Sequence, residues 1–186
     1  MTSIPTFLTY FRIILIPVFV VIFFLPYAWV NDATTIIFVV AAVTDWLDGY
    51  LARKLNQTSR FGAFLDPVAD KLIVGAALIL LVQANPNPWM TIATVVIIGR
   101  EIAISALREW MAVIGERTQV AVSNVGKWKT MAQMVALFML LYHEPLLGVS
   151  MYMLGMIFLY IAVVLTLWSM VLYMKAAWPV LSKEED

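Results

Sequence analysis

Apolar residues in this chain come in long blocks, not in alternation with polar ones. A helix crosses the hydrocarbon of a bilayer with about 20 residues. Six segments qualify or nearly qualify, at 7–27, 33–53, 62–83, 89–111, 124–142 and 149–174. Turn-like stretches divide them: VND near Asn31, ANPNP at 84–88 and YHEPLLG at 142–148. The pattern predicts an all-α integral membrane protein with six transmembrane helices. Pro17 falls inside the first segment, where a proline bends a helix. No basic cluster precedes that segment and no small-residue cleavage site follows it, so it reads as an uncleaved helix.

Composition agrees with the pattern. Of 186 residues, 63% are hydrophobic and 13% charged, where a soluble domain carries about 25% charged residues. Mean hydropathy is +0.91. The absence of cysteine excludes disulfides, thiolate metal sites and a cysteine nucleophile. The single histidine, His143, leaves little room for histidine catalysis or a multi-histidine metal site, and reads as a wet loop residue. The many Met, Trp and Tyr residues read as lipid-facing packing and interfacial belts. With no evident repeat, residues 1–186 form one expected domain.

Net charge is zero, so its distribution carries the information. With a cytoplasmic N-terminus, the connections near Asn31, at 84–88 and at 143–148 lie outside, and none holds Lys or Arg. All twelve basic residues fall on the other side. This positive-inside bias predicts a multi-pass protein with both termini in the cytoplasm. The SKEED tail reads as a solvated end.

The segment TDWLDGYLARKLNQTSRFGAFLDPVAD, from Thr44 to Asp70, holds four aspartates between two strongly apolar stretches. Counting inward from Arg53 at 1.5 Å per residue puts Asp48 about 7 Å deep and Asp45 about 12 Å. Counting from Gly62 puts Asp66 about 6 Å deep and Asp70 about 12 Å. The carboxylates come level in pairs if the two helices are neighbours. Asp45 and Asp48 are spaced i,i+3 and Asp66 and Asp70 i,i+4, so each pair shares a face. Gly49, Ala52 and Gly62 leave open space there, while Trp46 and Leu47 should point away into packing. Pro67 suits a first helical turn; if the helix begins well before Gly62, it should kink the helix instead.

Four carboxylates at this depth stay charged only with compensating cations. Arg53 and Lys71 offset some charge. Two Mg²⁺ or Mn²⁺ ions, which favour all-oxygen ligands, would cancel all four. Two such metals about 4 Å apart activate an attacking oxygen and stabilise a leaving oxygen on phosphorus. An ion or proton transporter is the competing reading. Against it, the aspartates lie in the cytoplasmic half and not at the midplane, and no comparable acidic residue marks an outer half-pathway.

Asp45-x-x-Asp48-Gly49-x-x-Ala52-Arg53, eight residues, then Gly62-x-x-x-Asp66-x-x-x-Asp70 resembles the CDP-alcohol phosphotransferase signature at every fixed position. IPTFLTYFRIILIP at the start, REIAISALRE at 100–109 and GKWKT at 126–130 extend the likeness to the bacterial members that use glycerol 3-phosphate. The resemblance implies a homodimeric six-helix enzyme of the bacterial inner (cytoplasmic) membrane, with a cytoplasm-facing active site and no nucleic-acid partner. Glycerol 3-phosphate would attack the β-phosphorus of CDP-diacylglycerol, giving phosphatidylglycerophosphate and CMP for phosphatidylglycerol and cardiolipin biosynthesis. Serine, inositol phosphate or phosphatidylglycerol are alternative acceptors on the same fold. By position, Asp45, Asp48, Asp66 and Asp70 would bind two divalent metal ions, with Asp70 also the base. Asp48, Gly49, Ala52, Arg53 and Gly62 would meet the CDP portion, and Thr9 is placed to reach the nucleotide.

A glycerol 3-phosphate dianion needs fixed positive charge. Arg100 and Arg108, about 80° apart around one helix, are candidates for its phosphate; pairing with neighbouring glutamates or reaching to lipid phosphates is the alternative. Lys127 and Lys129 are about 200° apart, so one is expected to face the site and the other the headgroups. For Arg12, lipid headgroup and substrate phosphate stand as equal alternatives.

Overall fold

The computed structural model describes residues 4–55, 60–115 and 124–181. They form α1 (Ile4–Phe23), α2 (Val30–Leu55), α3 (Arg60–Ala84), α4 (Pro88–Val113), α5 (Asn124–Tyr142) and α6 (Met151–Leu181). Four of these are long and apolar enough to cross a membrane: Thr6–Phe23, Val30–Ala52, Pro88–Val113 and Met151–Pro179. Polarity is turned inside out. Phe7, Ile14, Val43, Ile102, Val164 and Trp168 are exposed, whereas Arg12, Asp48, Arg100 and Lys129 are buried. Such a surface suits lipid and marks a membrane protein.

Three boundaries depart from the sequence expectation. α1 stops at Phe23 and not near residue 27. Pro26 keeps Leu25 out of the helical region. The chain instead closes with short-range bonds from Phe24 N–H to Val21 O (3.2 Å) and Leu25 N–H to Ile22 O (3.0 Å). α3 starts at Arg60, ahead of Gly62, so Pro67 lies inside the helix and not in its first turn. Having no N–H, Pro67 leaves the carbonyl of Ala63 without its helical donor. α6 runs on to Leu181, because no breaker precedes Pro179 near its end. Arg117, Lys183 and the whole α2–α3 connection, 56–59, lie outside the described residues, as does the SKEED tail.

The chain divides into two compact units, Met1–Asn85 with Leu137–Tyr152, and Pro86–Ala136 with Met153–Asp186. In the first, α1 packs on both α2 and α3, and α2 meets α3. Ala41, Ala69 and Ala77 are almost fully buried there. Small residues of this kind let helices approach closely where lipid gives no hydrophobic drive. Thr44, beside the first aspartate, satisfies its hydroxyl by donating to Val40 O (2.8 Å) and Ala41 O (2.9 Å).

In the second unit, α4 and α6 share a core of Ile104, Met111, Tyr173 and Ala177. α4 is punctuated at both ends. Pro88 takes its first position and the Asn87 side chain accepts from Trp89 N–H at 2.9 Å, satisfying a donor the helix cannot. Beyond Ile114, Gly115 turns the chain at φ 85°, a left-handed conformation that favours glycine.

Candidate active site

The four aspartates of α2 and α3 converge on one side chain of α1. Nη1 of Arg12 lies 2.9 Å from Asp45 Oδ1, 3.2 Å from Asp66 Oδ1 and 2.7 Å from Asp70 Oδ1. Its Nη2 lies 2.5 Å from Asp48 Oδ2. α2 and α3 are therefore neighbours, the condition under which the two helical spacings turn the acidic faces to a common point. Asp48 is buried, with 4% of its side chain exposed, while Asp45, Asp66 and Asp70 retain 40%, 39% and 46%. The cluster thus has a closed floor at Asp48 and an open side at the other three.

Two alternatives were open for Arg12, a lipid headgroup and a substrate phosphate; in the folded chain its partners are the carboxylates. One signal in the sequence pointed there: Arg12 is the one charged residue within the apolar α1, and intramembrane charges pair with one another.

The donor set fits hard divalent cations. One carboxylate oxygen from each of Asp45, Asp48 and Asp66 lies within 4.8 Å of the others, close enough to share one ion. Oxygen-only ligands of this kind favour Mg²⁺ or Mn²⁺. The Arg12 guanidinium is itself a cation standing where the four carboxylates point, and its single charge balances one of four.

Space lies open beside the aspartates. A methyl group added at Gly49 would meet nothing within 4 Å, so packing does not demand glycine there. Ala52 is partly buried on the same helix, and Gly62 sits in the first turns of α3. The Arg53 side chain lies outside the described residues. Thr9 is buried on α1, one turn before Arg12. Trp46 does not enter packing as expected: it is exposed and stacks on Tyr50 with ring centres 5.9 Å apart. An indole at i and a phenol at i+4 lie above one another on the outer face of the helix.

In the second unit, α4, α5 and α6 gather a cationic cluster. Arg100 is buried, with Nη1 3.2 Å from Glu101 Oε1 and Nη2 2.8 Å from Ser169 Oγ. Lys129, also buried, pairs with the same Glu101 oxygen. Arg108 donates to the Tyr173 hydroxyl at 2.6 Å. The Tyr173 ring holds both arginines, with Cζ of Arg100 at 5.4 Å and Cζ of Arg108 at 5.0 Å from its centre. Cation–π contact thus draws together two side chains that helical spacing splays apart. Three positive charges against one carboxylate leave a net charge of two. Lys127 is exposed, on a different face of α5 from Lys129. Glu101 lies within the REIAISALRE stretch, whereas Ser169 and Tyr173, far along the chain on α6, completed this cluster without a motif to announce them.

The sequence profile of the CDP-alcohol phosphatidyltransferase family matches residues 2–168. A CDP-diacylglycerol–glycerol-3-phosphate 3-phosphatidyltransferase of Haemophilus influenzae is 57% identical over 175 residues, covering 94% of this chain and 93% of the relative. Proteins of the same name from Salmonella typhimurium and Shigella flexneri are 54% and 55% identical, each alignment covering 94% of both chains. The match spans both units and includes every aspartate of the cluster, so the chain belongs to the CDP-alcohol phosphatidyltransferase family.

Proposed function

We propose that this protein transfers the phosphatidyl group of CDP-diacylglycerol to glycerol 3-phosphate, releasing CMP and forming phosphatidylglycerophosphate, a step of phospholipid synthesis. The observation that carries the reading is the convergence of Asp45, Asp48, Asp66 and Asp70, at the signature positions, on a single cation. Its near full-length likeness to relatives named for that reaction supports the choice of acceptor.

The four aspartates would hold two divalent ions, which supply positive charge to the attacking and leaving oxygens on phosphorus. Asp70 takes the proton of the glycerol 3-phosphate hydroxyl. The freed oxygen forms a bond to the β-phosphorus, and the bond from that phosphorus to the CMP oxygen breaks, CMP keeping the electron pair. Gly49, Ala52 and Gly62 let the CDP portion approach the helices, with Asp48, Arg53 and Thr9 as polar contacts. Arg100, Arg108 and Lys129 serve the acceptor phosphate, and Lys127, exposed on another face of α5, serves the lipid headgroups; the net double charge of the first three with Glu101 matches a phosphate dianion.

The protein works as one domain of six membrane-crossing helices, supported by the family match across residues 2–168. The distribution of basic residues supports cytoplasmic termini and a cytoplasm-facing active site, and the family resemblance supports the bacterial inner membrane. A homodimer follows from the family resemblance. Purified protein given CDP-diacylglycerol, Mg²⁺ and radiolabelled glycerol 3-phosphate should move the label into lipid. Label transfer from serine, inositol phosphate or phosphatidylglycerol in its place would assign a different acceptor.

A further inference from the structure

Arg12 is bound in a way that a permanent structural ion pair would not be. Its side chain is fully buried amid four carboxylates, three of which crowd a single nitrogen. Nη1 has two hydrogens, so three oxygens within 3.2 Å compete for them. Nε, meanwhile, is buried and has no hydrogen-bond partner. A fully matched guanidinium would use its whole fork. Four negative charges against one positive also leave three uncompensated in this cluster. One arginine thus prevents the aspartates from repelling one another apart without neutralising them.

We propose that Arg12 is a built-in counter-cation that competes with divalent metal for the four aspartates, holding their carboxylates converged in the metal-free protein and releasing them as metal enters. The inference rests on the proposed metal site. The two charges claim the same oxygens: Asp45, Asp48 and Asp66 present the triad that suits a metal ion, and all three contact Arg12. Arg12 is therefore a positioning residue with opposite effects in the two states. It preforms the site, and it lowers apparent metal affinity by the fraction of time it occupies the carboxylates.

The test compares wild type, Arg12→Gln and Arg12→Lys in detergent by Mn²⁺ titration, read by the electron paramagnetic resonance of free Mn²⁺, and by thermal unfolding with EDTA or saturating Mn²⁺. Arg12→Gln should bind Mn²⁺ about tenfold or more tighter, because the competing occupant is gone. It should lose stability in EDTA and regain it with Mn²⁺, giving a larger metal-induced rise in Tm than wild type. Arg12→Lys, which keeps the charge and loses the fork, should fall between, and it carries the comparison if Arg12→Gln does not fold. Unchanged or weaker Mn²⁺ binding by the variants would overturn the proposal. So would an equal loss of Tm with and without metal, the mark of a purely structural residue. Failure of wild type itself to bind Mn²⁺ would remove the metal reading and this inference with it.

Discussion

Nη2 of Arg12 lies 2.5 Å from Oδ2 of Asp48, and 0% and 4% of the two side chains are exposed. Thirty-six positions separate them in the chain. The pair ties α1 to α2 at the closed end of the aspartate cluster, where a lone charge would have no solvent to compensate it. Removing one partner of such a pair leaves the other buried and unbalanced, so changes at Arg12 and Asp48 should not add. An Arg12→Gln, Asp48→Asn double variant is expected to be more stable in EDTA than the sum of the single losses implies. Thermal unfolding of the four proteins in the cycle measures this, and simple additivity would show that the pair does not couple.

Asp70 is the proposed base, and it is partly open to the surroundings. Asp70→Asn should reduce CMP release by roughly 10²–10⁴-fold, the usual contribution of a positioned base. The variant should still insert and fold, since the buried floor at Asp48 is untouched. Turnover close to wild type would assign the proton to another group.

Gly49 separates binding from folding. Alanine is about 0.5–1 kcal/mol better than glycine in a helix interior, and the added methyl meets nothing within 4 Å. Gly49→Ala should therefore match or exceed wild type in Tm. If the CDP portion fills that space, the methyl should raise KM for CDP-diacylglycerol about tenfold, within the ~1–3 kcal/mol cost of overpacking. An unchanged KM would place the nucleotide elsewhere.

Arg108 is exposed and held by Tyr173, so its removal should leave the fold intact. Arg108→Gln is expected to raise KM for glycerol 3-phosphate by roughly 10–100-fold, the loss of one charge-assisted hydrogen bond at ~1.5–3 kcal/mol. KM for CDP-diacylglycerol should stay constant. A rise in the CDP-diacylglycerol KM alone would move Arg108 out of the acceptor site.

What could be read before folding followed from periodicity. Helical spacing put Asp45 with Asp48, and Asp66 with Asp70, on shared faces; that α2 and α3 are neighbours, which joins the two faces, came from the structure. Periodicity failed where a strong local signal hid inside an apolar run. Pro26 cut α1 short at Phe23 although the hydrophobic stretch continues past it. The start of α3 at Arg60 put Pro67 inside the helix, beyond its first turn, because an apolar count that begins at Gly62 does not see the polar Arg60 as helical. Long-range pairing was the least visible. Arg12 meets Asp70 across 58 positions and Arg100 meets Ser169 across 69. A charge on an apolar helix announces that a partner exists, but only the packing of the helices selects which one.

The most direct test of the account is CMP release by the purified protein from CDP-diacylglycerol, with the acceptor varied under otherwise fixed conditions. The account predicts release that requires Mg²⁺ or Mn²⁺, stops with EDTA, and appears with glycerol 3-phosphate but not with serine, inositol phosphate or phosphatidylglycerol. Release that persists in EDTA, or that answers to one of the other acceptors and not to glycerol 3-phosphate, would contradict it.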